Sequence, residues 1–295
     1  MASQTVDVAK ETAPAYLHVP HDWKVIRSEG FGPFQTAFEF LLPDGSVRRW
    51  TSRRWRKSDL AAAEGGFRRI PGRTLAIAST FTVGSALFAL GATSWWSGSV
   101  SALADATTYF IGSLFFTTAA YLAYAEVSGT PESLVPGTRR RVRLFSIRPH
   151  RIDWWAAAIQ LVGTIAFNVS TWFARRADHL AKLGENDLIW WPDVVGSICF
   201  LLSSYLSWAE VCHGAGRFRF RDISWWIVVV NLLGSILFGI SAVAARYTGT
   251  NEVLDPALVN PTTFLGALCF GVAAVMLVPE ARRGLEKPAL AQAAP

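Results

Sequence analysis

The sequence predicts an all-α membrane protein with six transmembrane helices and a small N-terminal segment that contains a β-hairpin. Its 295 residues are 51% hydrophobic and only 17% charged, whereas soluble domains usually have about a quarter of their residues charged. The charged residues cluster at the two ends and in short intervening segments, which leaves six long apolar stretches. Ten of the 13 Trp lie at the ends of these stretches, where an amphipathic ring suits the headgroup level of a bilayer.

Each apolar stretch is long enough to form a helix that crosses the hydrocarbon layer, which takes about 20 residues. The predicted spans are residues 74–96, 106–125, 154–174, 189–209, 223–245 and 257–279. They are apolar all round, unlike the one-sided helices of a soluble core. Asp193 is the only formal charge inside them, and it lies near the start of its span.

The distribution of Lys and Arg predicts the orientation of the chain. Of the 28 basic residues, 24 lie on one side of the predicted membrane, and loops rich in Lys and Arg stay in the cytoplasm. We therefore expect a multi-pass protein of the plasma membrane with both termini cytoplasmic. No cleaved signal peptide is expected, because the first 30 residues contain no apolar core. The net charge of +6 suits anionic lipid headgroups, and no nucleic-acid partner is expected.

The spans repeat three times as helical hairpins. In each even-numbered span a glycine is followed by a phenylalanine after four residues and by a glutamate after 14. These triplets are Gly112, Phe116 and Glu126; Gly196, Phe200 and Glu210; and Gly266, Phe270 and Glu280. The odd-numbered spans align on Gly84, Gly163 and Gly234, each followed four residues later by Phe88, Phe167 and Phe238. Glycines at matching depths let helix backbones approach closely.

Every hairpin starts and ends on the same side, so the repeats are expected to be parallel and to surround a pseudo-three-fold axis. The predicted organisation has five parts. They are a basic segment with the β-hairpin (1–72), hairpin repeat 1 (73–129), a basic loop with hairpin repeat 2 (130–214), hairpin repeat 3 (215–284) and a disordered tail (285–295).

Residues 73–284 resemble tandem copies of the two-helix YrhK-like membrane domain. The resemblance rests on the G-S-x-L-F strings of the first and fifth spans, the segments IGSLFFTTAAYL and VGSICFLLSSYL, and the Trp-Trp start of the third and fifth spans. It implies a membrane location and no assigned reaction or substrate.

The N-terminal segment contains the string QTAFEFLLPDGSVRRWTSRRW, which predicts two strands joined at Asp44 and Gly45. A cluster of six basic residues interleaved with Trp follows the turn. It comprises Arg48, Arg49, Arg53, Arg54, Arg56 and Lys57. We interpret it as a lipid-facing basic patch, with docking of another protein as the alternative.

Glu126, Glu210 and Glu280 are the strongest candidates for a functional site. Each ends a cytoplasm-bound helix, where the helix dipole disfavours a carboxylate. Three-fold symmetry would bring them together as an ion or proton site. The alternative is that they form salt bridges with arginines of the neighbouring loops, such as Arg148, Arg151, Arg219 and Arg221.

Gln160, Asn168 and Asn231 are the deepest polar residues of the odd-numbered spans. They are candidates for polar contacts in the bundle, either as interhelical hydrogen bonds or as contacts with a substrate.

No motif for nucleotide binding, hydrolysis, covalent haem or metal binding is present in the sequence, so we expect neither an enzyme nor a cofactor. Two functions stay open, of which the first is the leading prediction and the second the alternative. One is a small transporter or channel for ions or small solutes, with the glutamates at its inner mouth. The other is a non-transporting scaffold that binds a partner or anionic lipid through its basic face. A wet cavity on the axis would favour transport, and a dry axis filled with Phe would favour the scaffold. Homo-oligomers and other membrane partners are left open.

Overall fold

The computed structural model describes residues 13–57, 70–135, 143–177, 186–214, 218–246, 248, 253–286 and 291–292. Its α-helices are α1 (Ser52–Lys57), α2 (Gly72–Gly91), α3 (Ser94–Ser97), α4 (Ala102–Gly129), α5 (Ile152–Ala174), α6 (Trp191–Cys212), α7 (Ile223–Ala244) and α8 (Pro256–Glu286), and a π-helical turn, Asn186–Trp190, leads into α6. All but the short α1 and α3 are long and apolar enough to cross a membrane, which confirms the six predicted helices.

Local capping decides where several helices start and stop. The Ser101 hydroxyl accepts a hydrogen bond from the amide of Ala104 ahead of α4, and the Asp222 carboxylate accepts one from the amide of Ser224 ahead of α7. The first long helix ends earlier than predicted because Thr93 caps the separate helix α3. The last helix is longer than predicted and continues to Glu286. Residues 287–290 and 293–295 of the predicted disordered tail lie outside the described residues.

The six long helices form a closed ring. Each packs against its neighbours in the sequence, and α8 packs against α2. The centre of the ring is filled by one buried phenylalanine from each helix: Phe88, Phe116, Phe167, Phe200, Phe238 and Phe270. Phe116, Phe200 and Phe270 contact one another edge to face, with ring centroids 5.5 to 6.3 Å apart.

The helices of each hairpin approach closely at the glycines noted in the sequence. A Cβ atom on Gly234 of α7 would lie 3.0 Å from the Gly266 carbonyl oxygen of α8 and 3.2 Å from the Phe270 ring. Comparably close contacts join α2 to α4 and α5 to α6. These contacts place the phenylalanine rings directly on the neighbouring backbones. The arrangement as three parallel repeats stays a prediction.

A small antiparallel sheet covers one end of the ring. Its strands are β1 (Lys24–Phe31), β2 (Phe34–Leu41), β3 (Val47–Thr51) and β4 (Ala291–Gln292), in that order. The predicted hairpin is the β2–β3 pair, with Gly45 in a positive-φ conformation at the turn. Since β4 pairs with β3, both ends of the described chain meet at this end of the bundle, which we call the basic face.

The sheet is fixed to the bundle by the connection between α4 and α5. Phe40, Trp50 and Trp55 pack with Leu134 of that connection in a second buried cluster. The Trp55 indole donates a hydrogen bond to the Pro131 carbonyl oxygen, at 2.9 Å. Since a lone hairpin is not stable, it is expected to dock on the helices or on the bilayer, and in the structure it packs against the helix bundle.

We expect Gly234→Ala to destabilise the protein by roughly 1–3 kcal/mol, because the added methyl group overpacks the contact between α7 and α8. Gly239→Ala is the matched control in the same helix, since a Cβ atom there meets nothing within 4 Å. Thermal unfolding in mild detergent measures both variants. Equal unfolding temperatures for the two variants would contradict this account of the packing.

Candidate functional site

The three predicted glutamates lie at the basic face, where α1 enters the end of the helix ring. Arg53, Arg56 and Lys57 of α1 each reach a different glutamate. Arg53 Nε donates to Glu280 Oε1 at 2.7 Å, and Lys57 Nζ lies 2.8 Å from Glu126 Oε2. The structure thus brings the three carboxylates together around one short basic helix.

Arg56 makes the most extensive contacts of the three cations. Its two terminal nitrogens donate to the two carboxylate oxygens of Glu210, at 2.9 and 3.0 Å. Asp153, at the start of α5, also accepts a hydrogen bond from Arg56. The side chains of Arg56, Glu210 and Asp153 are 7%, 2% and 3% exposed, so the cluster is shielded from solvent.

Further donors complete the shells around the carboxylates. Ser52 Oγ donates to Glu210, and Ser224 Oγ donates to Glu280, at 2.6 and 2.7 Å. Arg73 Nε lies 3.2 Å from Glu126 Oε1. Because a buried charge is stable only when it is paired and hydrogen-bonded, these contacts explain how carboxylates persist at the end of an apolar bundle.

The electrostatics of α1 follow from this arrangement. Burial by itself lowers the pKa of Arg56, but the carboxylates of Glu210 and Asp153 outweigh burial and raise that pKa well above its ordinary value. Arg56 is therefore a permanent cation in the centre of the glutamate ring.

The four loop arginines named from the sequence do not pair with the glutamates among the described residues, which corrects those examples. Arg148 instead donates to the carbonyl oxygens of Thr130 and Ser128, just after and within the last turn of α4. Arg151 pairs with Asp153. Arg219 lies 3.7 Å from Asp222. Arg221 has no carboxylate within 4.0 Å among the described residues.

The six basic residues interpreted as a lipid-facing patch do not form one surface. Arg53, Arg56 and Lys57 contact the buried glutamates, because the chain turns into α1 directly after β3. Arg49 bridges Glu29 and Glu39 across the sheet. Within the described part of the chain, only Arg48 and Arg54 of the six have no carboxylate within 4.0 Å.

The three polar residues of the odd-numbered spans have different surroundings. Asn168 donates to the Thr117 hydroxyl of α4, and Asn231 donates to the Ser204 hydroxyl of α6, both at 2.8 Å. Gln160 and Asn231 also line a cavity of about 140 Å³ between α1 and the Phe cluster.

Sequence reasoning missed β1, α1 and Asp153. The Gly32–Pro33 dipeptide between β1 and β2 was an available turn signal. The buried side chains of α1 are Ser52, Trp55 and Arg56, whose i, i+3 and i+4 spacing indicates one helical face. Asp153 directly precedes a Trp-Trp pair, as Ser224 does in α7, so the repeat alignment marks both positions as equivalent.

A histidine joins the sheet to the end of α6. His213 adopts a left-handed conformation with φ 51°, and its Nδ1 lies 2.9 Å from the Thr36 hydroxyl of β2. Burial, followed by the nearby positive charges of Arg219 and Arg49, lowers the pKa of His213 to about 4. The imidazole is therefore neutral at pH 7.

The described residues contain no group of three or more His, Cys, Asp or Glu placed to hold a metal ion. Comparison of the chain with protein-family models, curated proteins and solved structures finds no match. The resemblance to YrhK-like domains accordingly stays a prediction.

Replacing Arg56 with Ala should destabilise the protein by roughly 3–5 kcal/mol, because two buried carboxylates lose their shared partner. Arg56→Lys should lose less, since it keeps the charge but not the two-pronged contact. Arg48→Ala removes a cation from the same face and should have little effect. Thermal unfolding in detergent compares the three variants. If Arg56→Ala were as stable as Arg48→Ala, the ionic cluster would not support the fold.

Acidification should weaken the protein through His213. The pKa of His213 is about 4 in the folded protein and about 6.5 when unfolded, so protons favour the unfolded state as the pH falls below 6.5. At pH 4 the loss is on the order of 3 kcal/mol relative to pH 7.

His213→Asn removes this titration and keeps a residue that tolerates the left-handed conformation. Unfolding measured from pH 7 to pH 4 should therefore show a steeper loss for the wild type than for the variant. Parallel pH profiles would show that His213 does not titrate in this range.

Proposed function

We propose that the protein is a non-transporting membrane scaffold that holds its sheet and basic face at the inner surface of the plasma membrane. The observation that carries this proposal is the filled axis of the helix ring. Six buried Phe rings occupy it, and they lie against glycine backbones. A path along the axis would require several rings to leave these positions together.

The state of the glutamates also supports a scaffold. An ion site needs carboxylates that can exchange a bound cation for water or substrate. Here each glutamate already has a Lys or Arg partner from α1. The three glutamates therefore serve best as the binding site for α1. Through α1 they fix the sheet to the helix bundle. In this role the basic face is the surface that recognises anionic lipid or a protein partner.

A transporter or channel for ions or small solutes is the second candidate. The cavity of about 140 Å³ favours it, because Gln160, Asn231, Glu126 and Glu210 contribute polar groups to its lining. In that case the Phe cluster and α1 would be the two barriers of a closed state, and displacement of α1 would open the path to the cavity.

Flux measurements separate the two functions. Proteoliposomes carrying the wild type should conduct protons and monovalent cations no faster than protein-free vesicles. The variant Arg53→Gln, Arg56→Gln, Lys57→Gln should be equally silent once its folding has been checked by thermal unfolding. An ionophore added at the end of each trace shows that the vesicles hold a gradient. Protein-dependent flux in either sample would favour the transporter.

A further inference from the structure

A second, larger cleft opens on the basic face, beside α1 and outside the helix axis. Its volume is about 670 Å³, and it lies between α1, the segment that precedes α7 and the end of α8. Arginines contributed by these three elements line it: Arg54 from α1, Arg221 from the segment before α7, and Arg283 from α8.

These three arginines form no ion pair with a described carboxylate. None has a carboxylate within 4.0 Å among the described residues, whereas the carboxylates that line the cleft, Glu280 and Asp222, lie near Arg53 and Arg219. Burial lowers the pKa of Arg54, the carboxylate of Asp222 offsets part of that effect, and the positive charges of Arg219 and Arg49 lower the pKa further. A concave surface with one excess sign of charge concentrates the field and attracts a counter-ion. The excess positive charge of the cleft therefore favours an anionic ligand.

Apolar side chains at the mouth of the cleft indicate what kind of anion fits. Phe218 and Phe220 are 72% and 62% exposed, and their rings stack with centroids 5.7 Å apart. They lie a few residues before Ile223, where α7 begins, so a bilayer around the long helices would place them near its headgroup level. A ligand that satisfies both features has an anionic head and a hydrocarbon tail.

We infer that this cleft binds the phosphate of an anionic glycerophospholipid, with Arg54, Arg221 and Arg283 around the headgroup and Phe218 and Phe220 against the acyl chains. Guanidinium groups suit this role because they form paired hydrogen bonds with phosphate oxygens. This inference rests on the proposed function, since it names the lipid that the basic face recognises.

Native mass spectrometry of the delipidated full-length protein in detergent tests the site. Phosphatidylglycerol and phosphatidylcholine with identical acyl chains are the probes. The wild type should retain phosphatidylglycerol in preference. Each of Arg54→Ala, Arg221→Ala and Arg283→Ala should weaken that retention about fivefold, the fold-change for roughly 1 kcal/mol per basic residue. The triple variant should lose the preference.

Arg48→Ala is the matched control, because it removes a cation from the same face but lies outside the cleft. Equal weakening by Arg48→Ala would overturn the assignment and indicate diffuse attraction. Absence of any preference for phosphatidylglycerol would overturn it as well. Unfolding temperatures equal to that of the wild type establish that the variants are folded.

Inorganic phosphate separates a lipid from a soluble ligand. Phe218→Ala with Phe220→Ala should weaken retention of phosphatidylglycerol. If inorganic phosphate at millimolar concentration displaced the lipid and the Phe variant bound the lipid normally, the site would be one for free phosphate and the inference would be wrong. Flux in proteoliposomes tests the scaffold proposal, and lipid retention tests the lipid site. The two measurements are independent, so the failure of one proposal can be told from the failure of the other.

Discussion

Four carboxylates at one end of an apolar helix ring impose the constraint on which this structure depends. Glu126, Asp153, Glu210 and Glu280 are nearly inaccessible to water, and unpaired charges in such a place would cost several kcal/mol each. The cations that compensate them come mainly from α1, a helix of only six residues. The position of the sheet and the closure of the basic face follow from this pairing.

The ionic cluster and the Phe cluster close the bundle in different ways. The phenylalanine rings fill the axis by close packing, and each ring lies against a glycine of a neighbouring helix. Residues of α1 close the basic end through ion pairs with the buried glutamates. A cavity of about 140 Å³ lies between them, lined by side chains of α1 and by Phe270 of the Phe cluster. The filled axis and the closed basic end are the two features that support the scaffold proposal.

Much of this fold is predictable from the sequence because its signals are local. The apolar runs predict six helices, the Asp44–Gly45 turn predicts the β2–β3 hairpin, and the shared spacing from glycine to glutamate brings the three glutamates to one level. The partners of the glutamates were beyond such reasoning. Arg56 lies 154 residues from Glu210 in the chain, and no periodicity connects them. Three of the six cations in the basic run contact buried acids. Composition does not reveal this, because a run of cations has the same composition whether it faces lipid or buried acids.

The contact between Arg53 and Glu280 has a consequence for biosynthesis. Its two residues are separated by 227 positions, with α2 and all the following long helices between or at them. Since a chain is made from its N-terminus, α1 leaves the ribosome before any of the long helices, and Glu280 follows only with the final helix. The cluster can therefore form in full only after the last span has been inserted. A chain that lacks α8 lacks the Glu280 partner of Arg53.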